Sequence, residues 1–222
     1  MTRTLYHFKL CPFSRRLRVH MAEKKLEFTL IEEAFWEKRP DYAEINPAME
    51  VPVLLEADGE YFRESHAISE YIEHAYPEPR LLGSGQEDAA EVRRLLYWCD
   101  IKFHNDVTRY VLNEKALRYL AGGGSPSSEA LHAAAYNLRQ HIAYFERLLK
   151  DRRWLAGNEF SLADVALACH LSVADYLSAM RWDSPGVKHW YSLVKSRPSF
   201  RELLHDRLVG FAPPPHYANL DF

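Results

Sequence analysis

The sequence has few cysteines and no long apolar run, and both features limit what the chain can be. Its 222 residues include three cysteines, Cys11, Cys99 and Cys169, which are widely spaced and odd in number. A secreted disulfide framework needs a denser and even set, so we expect three reduced thiols. The N-terminus has no apolar signal core, and no stretch approaches the ~18 apolar residues that span a bilayer. We therefore expect a cytoplasmic protein without a membrane span.

The chain also lacks an excess of positive charge and any metal-ligand spacing. Its 28 lysines and arginines stand against 31 aspartates and glutamates, giving a formal net charge of -3. Such a balance does not attract phosphate groups, so we expect no nucleic-acid partner. The 11 histidines are scattered without ligand spacing to cysteines or carboxylates, so we expect no metal. What is present is an ordinary globular composition, 47% hydrophobic.

Short β-favouring runs and helical periodicity alternate in the first 76 residues. The order strand, helix, strand, hairpin, helix predicts one parallel βαβ unit and one antiparallel hairpin in a small mixed sheet. Asp58-Gly59 is a strong two-residue turn signal between the hairpin strands. The predicted strands cover residues 4–8, 28–31, 51–55 and 61–62, and the predicted helices cover residues 13–25 and 65–76.

Strand signals nearly vanish after a stretch rich in proline and glycine at residues 77–85. Helical periodicity then recurs over residues 87–120, 127–150, 161–180, 187–196 and 199–208. The sequence thus predicts an α/β thioredoxin-like N-terminal domain followed by an all-α C-terminal domain. The expected division is a first domain at 1–77, a linker at 78–86, and a helical domain with a C-terminal tail at 87–222.

Ser161-Leu-Ala-Asp164 has the spacing of a capping box at the start of the third helical stretch. In this motif the serine and the acidic side chain each bond the backbone amide of the other residue. The residues that follow are apolar on nearly every side, which predicts a buried central helix. The motif concerns folding and carries no chemistry.

Cys11 lies where the first predicted strand passes into the first helix. A thiol at a helix N-terminus faces unpaired amides and the positive end of the helix dipole, which favours the thiolate. Ser14, one short turn later, can donate to a sulfur anion bound at the same place. Arg15, Arg16 and Arg18 either add positive potential or point to solvent. The alternative is that Cys11 is a small buried apolar residue.

Two further pairs suit the recognition of a peptide. A cis bond before proline costs only ~0.5–1 kcal/mol, and a cis Val51-Pro52 leaves the Val51 backbone free to pair with an extended peptide. The alternative is a trans proline at the start of an edge strand. Glu64-Ser65 opens a helix whose amides can bind a carboxylate, while the acidic side chain can hold an ammonium group. Its alternative is an ordinary helix start.

Taken together, these pieces resemble the cytosolic glutathione transferase superfamily, and the resemblance covers essentially the whole chain. The matching segments are Cys11-Pro-Phe-Ser14, Asn46-Pro47 through Val51-Pro52-Val53-Leu54, Glu64-Ser65 with Ala67-Ile68, and Ser161-Leu-Ala-Asp164. The resemblance implies glutathione as co-substrate, no metal, and a homodimer. It also implies that Val51 pairs with the cysteinyl unit, that Pro52 is cis, and that Glu64 and Ser65 hold the γ-glutamyl end.

The same resemblance places Cys11 or Ser14 at the glutathione sulfur and leaves the reaction open. The Cys-Pro-Phe turn looks like members that transfer thiols through a mixed disulfide with Cys11. Members with a serine instead activate glutathione for conjugation to a small apolar electrophile. The chain has both residues, so either reaction fits.

A closer resemblance is to an alphaproteobacterial branch of the superfamily that includes a cell-division protein binding FtsZ filaments. It rests on Ala174-Asp175-Tyr176, on Trp190-Tyr191, and on the ending from Pro213 to Phe222. Three prolines should stiffen this tail and project it from the body. The alternative is a tail that is docked on its own domain or disordered. The partner-binding residues on this interpretation are Trp36, His216, Tyr217, Asp221 and Phe222.

The sequence therefore supports two functional hypotheses. The first is a glutathione S-transferase-like enzyme that acts on a disulfide or an apolar electrophile, because its residues match a described mechanism. The second is a non-catalytic dimeric partner of FtsZ filaments.

Overall fold

The computed structural model describes residues 2–220 and divides the chain into two compact units. The first unit ends at Pro79 and the second begins at Arg80. The stretch expected to be a linker, residues 78–86, thus contributes most of its length to the second unit, whose first helix begins at Gln86. Within residues 2–220 no helix is long and apolar enough to cross a membrane.

The first unit is a four-stranded mixed sheet with helices, as the sequence predicts. Its strand order is β2-β1-β3-β4, in which β1 is parallel to β2 and antiparallel to β3, and β3 is antiparallel to β4. Gly59, with φ of +99°, closes the β3–β4 hairpin in the left-handed conformation that glycine adopts easily. The elements are β1 (Thr4–His7), α1 (Pro12–Glu23), β2 (Thr29–Glu32), α2 (Pro40–Ile45), β3 (Val53–Leu55), β4 (Tyr61–Arg63) and α3 (Ser65–Ala75).

The core of this unit lies between the sheet and the helices α1 and α3. Its fully buried members are Leu5, Leu17, Met21, Leu54, Ile68 and Ile72. Of the two alternatives for the arginines of α1, the one in which they point to solvent is wrong, because Arg15, Arg16 and Arg18 are all buried. The Arg15 Nε atom donates to the carbonyl oxygen of Lys9 at 2.6 Å, so this side chain fixes the loop that precedes Cys11.

The second unit is helical. Its first long segment, residues 86–120, changes hydrogen-bond pattern along its length, because π-helical turns over Trp98–Thr108 and Asn113–Leu117 interrupt the α-helix. The predicted helix at 199–208 ends early, at Leu204. The α-helices are α4 (Gln86–Tyr97), α5 (Arg109–Leu112), α6 (Arg118–Leu120), α7 (Ser128–Leu148), α8 (Leu162–Tyr176), α9 (Pro185–Lys195) and α10 (Pro198–Leu204), and a 3-10 turn covers Pro215–Ala218.

The buried helix α8 is organised by the carboxylate of Asp164. The capping box is present, with Ser161 as N-cap, and every residue of α8 is buried. Asp164 also accepts hydrogen bonds from the Leu155 amide at 2.9 Å and from the Trp190 indole at 2.9 Å. Burial raises the pKa of this carboxyl group to about 6. One side chain thus joins the start of α8 to the preceding loop and to α9.

We predict that Asp164→Ala destabilises the helical unit by roughly 3 kcal/mol or more, since each buried donor left unpaired costs ~1–3 kcal/mol. Urea unfolding monitored by circular dichroism measures this loss. Asp164→Asn is the matched control, because it retains one acceptor oxygen in a side chain of the same shape and should lose less. An alanine variant within 1 kcal/mol of the parent would contradict the central role of this carboxylate.

Candidate functional site

Cys11 is the N-cap residue of α1, and its thiol points at the backbone of the segment that enters β3. The Cys11 amide donates to the Phe8 carbonyl oxygen at 3.0 Å, which closes the turn between β1 and α1. The Cys11 Sγ atom lies 3.6 Å from the Val51 carbonyl oxygen, to which the thiol donates. Only 6% of the residue is exposed.

Burial raises the pKa of the Cys11 thiol above its usual value. The opposing contributions are smaller and come from the Ser14 side chain and from the amides of Ser14 and Phe13, which all favour the thiolate. The expected geometry at the helix N-terminus is therefore present, but the expected low pKa is wrong. Loss of solvent outweighs the helix amides.

Ser14 is fully buried beside this thiol. Its hydroxyl oxygen accepts a hydrogen bond from the Phe8 amide at 3.4 Å, and its side chain favours the thiolate form of Cys11. The structure thus brings together the two residues that were expected at a glutathione sulfur. Both are occupied with partners inside the chain.

The peptide bond between Val51 and Pro52 is cis. The preceding carbonyl, that of Glu50, accepts from the Tyr42 hydroxyl and from the Asn46 side-chain amide, each at 2.8 Å. Burial raises the pKa of Tyr42, which keeps this hydroxyl a donor. Tyr42 was not identified from the sequence; the available signal was a tyrosine on a short, mostly polar helix.

Sheet register brings the cis bond and the start of α3 to one end of the sheet. Val53 pairs with Tyr6 of β1 on one side and with Arg63 of β4 on the other. Val51 precedes β3 by two residues and Ser65 follows β4 by two residues, at this same end. The start of α3 and the backbone that was expected to pair with a peptide therefore lie at one end of the sheet.

Glu64 occupies a strained position at the start of α3. Its φ of +65° is in the left-handed region, which is costly for a residue other than glycine. Such outliers cluster at ligand sites, where the surrounding structure holds them. The Glu64 side chain is exposed, Ser65 is half-buried, and the Ser65 carbonyl accepts from the Ser69 hydroxyl at 2.8 Å. The Glu64 side chain makes no capping hydrogen bond to α3.

Trp36 lies in a 3-10 turn over Phe35–Glu37 and is half-buried. Its ring packs edge-to-face on Phe8 and on Phe35, with centroid distances of 5.1 and 5.3 Å. Phe8 directly follows β1, so Trp36 is anchored at the same end of the sheet as Cys11.

The C-terminal tail is docked on the helical unit, which corrects the expectation that it projects. Tyr217 is fully buried, its ring 5.2 Å from that of Tyr176, so it cannot bind a partner in this conformation. His216 remains partly exposed, and its Nε2 atom lies 2.9 Å from the Asp175 carboxylate. The other two expected tail contacts, Asp221 and Phe222, lie outside the described residues.

Lys195 holds the tail in place through its backbone. The buried ammonium group donates to the carbonyl oxygens of Asn219 at 2.5 Å and of His216 at 3.4 Å. Burial lowers the pKa of Lys195 to about 8, against the attraction of Asp175. Sequence reasoning missed this residue, although a lysine on the apolar face of an amphipathic helix was the available signal.

No metal site accompanies these residues. Within residues 2–220 there is no cluster of three or more histidine, cysteine, aspartate or glutamate side chains that could hold an ion.

We predict that Cys11 reacts with iodoacetamide at pH 7.5 more slowly than free glutathione does, because burial raises the pKa of its thiol and so lowers the fraction present as thiolate. Mass spectrometry of the native protein resolves Cys11 from the other cysteines, and the same protein in urea provides the unhindered rate. A reaction rate that reaches its plateau below pH 8 would show instead that the thiolate is stabilised.

The two units of the chain each match a family model of the same family. The family model "Glutathione S-transferase, N-terminal domain" matches residues 5–80, and "Glutathione S-transferase, C-terminal domain" matches residues 128–192. The chain is 45% identical to FtsZ-localized protein A of Caulobacter vibrioides over 224 residues, which cover 99% of the chain and 98% of that protein.

Two solved structures match along their whole length and that of this chain. A glutathione S-transferase from Rhodospirillum rubrum F11 has a TM-score of 0.98 at 46% identity, with 100% of both chains covered. FzlA from C. crescentus has a TM-score of 0.97 at 44% identity, again with 100% of both covered. These matches confirm the fold and the branch expected from the sequence.

Proposed function

The chain belongs to the glutathione S-transferase family, and from this premise we propose that it acts as a dimeric cell-division factor that binds FtsZ filaments. The observation that carries the proposal is 45% identity over 99% of the chain to a protein named for its localisation with FtsZ. The site geometry also favours the FtsZ-binding hypothesis over the transferase hypothesis. Cys11 is buried with a raised pKa, which weakens the transferase hypothesis that the sequence favoured first.

Trp36 is suited to contact a filament. Tryptophan is enriched among the few residues that dominate binding energies, especially when part of the ring is anchored and part is accessible. Here Phe8 and Phe35 hold the ring from within, and its remaining surface faces solvent. Little side-chain entropy would be lost on binding.

The tail contributes as a preorganised element rather than as a free ligand. Tyr217 and Lys195 fix its path, while the His216 imidazole stays partly exposed. We propose that the exposed groups of this docked segment, continuing into Asp221 and Phe222, contact the filament. Tyr217 then serves as an anchor within the chain.

The test is co-sedimentation with FtsZ polymerised by GTP. We expect the parent protein to pellet with the polymer and Trp36→Ala to bind about tenfold or more weakly, as for a residue that dominates an interface. Trp36→Phe keeps an anchored ring and is the matched control, with most of the binding retained. Truncation after Leu220 removes Asp221 and Phe222 and retains Tyr217, and it should also weaken binding. A parent protein that stays in the supernatant would refute the proposal.

Glutathione binding is a second candidate, favoured by the cis Val51–Pro52 bond at the end of the sheet where α3 begins. In this arrangement Val51 would pair with the cysteinyl backbone, and Glu64 and Ser65 would hold the γ-glutamyl end. Thiol transfer to a disulfide, or conjugation to an apolar electrophile, would further require that the buried Cys11 thiol be displaced from the Val51 carbonyl.

Isothermal titration with glutathione tests this candidate. Ser65→Ala should weaken binding about tenfold or more, since a hydrogen bond to a charged group contributes ~1.5–3 kcal/mol. Ser128→Ala, at an exposed serine of the helical unit, is the control and should leave binding unchanged. Absence of binding at millimolar glutathione would rule the candidate out.

A further inference from the structure

A groove of about 680 Å³ runs along α7 and is lined only by residues of the helical unit. One wall is a stripe of α7 side chains that extends from His132 to Glu146, roughly 21 Å at the helical rise of about 1.5 Å per residue. The other wall is drawn from residues 179–185, where the chain passes from α8 to α9. We term this cavity the α7 groove.

The wall formed by residues 179–185 is fixed to the rest of the helical unit. Just before it, the Lys115 ammonium group donates to the Leu177 carbonyl oxygen at 2.7 Å. Within it, the Trp182 indole donates to the Asp175 carboxylate at 3.0 Å, and the Trp182 ring stacks on Tyr191 with centroids 4.7 Å apart. The path of this wall is therefore set from inside the fold.

Glu146 joins the two walls at one end of the α7 groove. Its carboxylate accepts from the Ser184 hydroxyl and from the amides of Gly186 and Val187, the latter two at 3.1 and 2.9 Å. These bonds tie the start of α9 to α7. The α7 groove is thus preformed, and a ligand that enters it would have to order little of the chain.

Two arginines from opposite walls give the α7 groove a positive charge. Arg139 lies midway along the α7 stripe and Arg181 lies on the facing wall, and both are exposed. Arg139 packs over the Tyr136 ring at 5.7 Å, and no described carboxylate pairs with either guanidinium group. Asp183 opposes one of these two charges, while Glu146 lies roughly 10 Å farther along α7 and is held by its three donors.

The rest of the α7 groove is apolar. Leu138, Ile142, Ala135 and Ala143 supply the α7 wall between the charged groups. A cavity of this size, with apolar walls and a few polar groups, is typical of a small-molecule site. An occupant that complements it has an apolar body and a single negative charge. A polyphosphate lacks the apolar body, and a neutral hydrocarbon leaves the two arginines unused.

We propose that the α7 groove binds an alkyl carboxylate, whose chain packs on Leu138 and Ile142 and whose carboxylate lies between Arg139 and Arg181. The site shares no residue with the proposed FtsZ contacts or with the candidate glutathione site. It can therefore be tested on the full chain without either of those partners.

Isothermal titration with decanoate, kept below the concentration at which it forms micelles, tests the proposal. We expect saturable binding of one decanoate per chain and weaker binding of decanol, which has the same chain without the charge. Arg139→Ala should weaken decanoate binding about fivefold, as expected for an exposed ion pair. Arg147→Ala is the matched control, because Arg147 is also an exposed α7 arginine over a tyrosine ring but does not line the α7 groove.

Two further variants test the position of the ligand. Ala143→Trp should fill the apolar wall and abolish decanoate binding, whereas Ala133→Trp, at an exposed alanine of α7 outside the α7 groove, should bind as the parent does. Asp183→Asn removes a negative charge from the wall that carries Arg181 and should strengthen binding. Thermal unfolding establishes that the variants are folded.

The proposal is overturned if the parent shows no saturable decanoate binding, or if Ala143→Trp binds decanoate as tightly as Ala133→Trp does. Equal affinities for decanoate and decanol, or equal affinities of Arg139→Ala and Arg147→Ala for decanoate, would overturn it as well. These last results would show that the arginines do not recognise a carboxylate.

Discussion

The helical unit depends on a single buried carboxylate at the beginning of its central helix. Asp164 accepts hydrogen bonds from the backbone on either side of the helix start and from Trp190 on α9, which fixes the position of α8. At the opposite end of α8, Asp175 contacts His216, and Tyr176 holds both the turn at residues 208–211 and Tyr217. The two ends of α8 thus hold the preceding loop, α9 and the docked tail in place.

In the first unit, the burial of Cys11 affects the chemistry of its thiol more than the position of the residue at a helix N-terminus does. The sheet brings Cys11, the cis Val51–Pro52 bond and the start of α3 to one end, which is the arrangement a transferase needs. The helix amides do face the sulfur, but burial has the larger effect on its pKa. The residues that a transferase would use can therefore be brought together while burial disfavours the thiolate of Cys11.

Several features of the fold and of the candidate site could be predicted because each depends only on residues close together in the sequence. The Asp58-Gly59 turn, the Ser161–Asp164 capping box and the strand-to-helix position of Cys11 follow from neighbouring residues. The burial of a side chain does not follow from its neighbours in sequence, because it depends on segments that are far apart in the chain. For that reason the sequence offered the burial of Cys11 and the docking of the tail only as alternatives, left the burial of the α1 arginines open, and missed the role of Lys195.

Lys195 holds the tail through the carbonyl oxygens of residues 216 and 219 and not through their side chains. Every amino acid supplies the same carbonyl, so the grip is indifferent to which side chains occupy those two places. Mutations can therefore change the exposed side chains of the tail while its backbone path along the helical unit stays the same. In this way a filament-binding specificity could diverge without any change of fold.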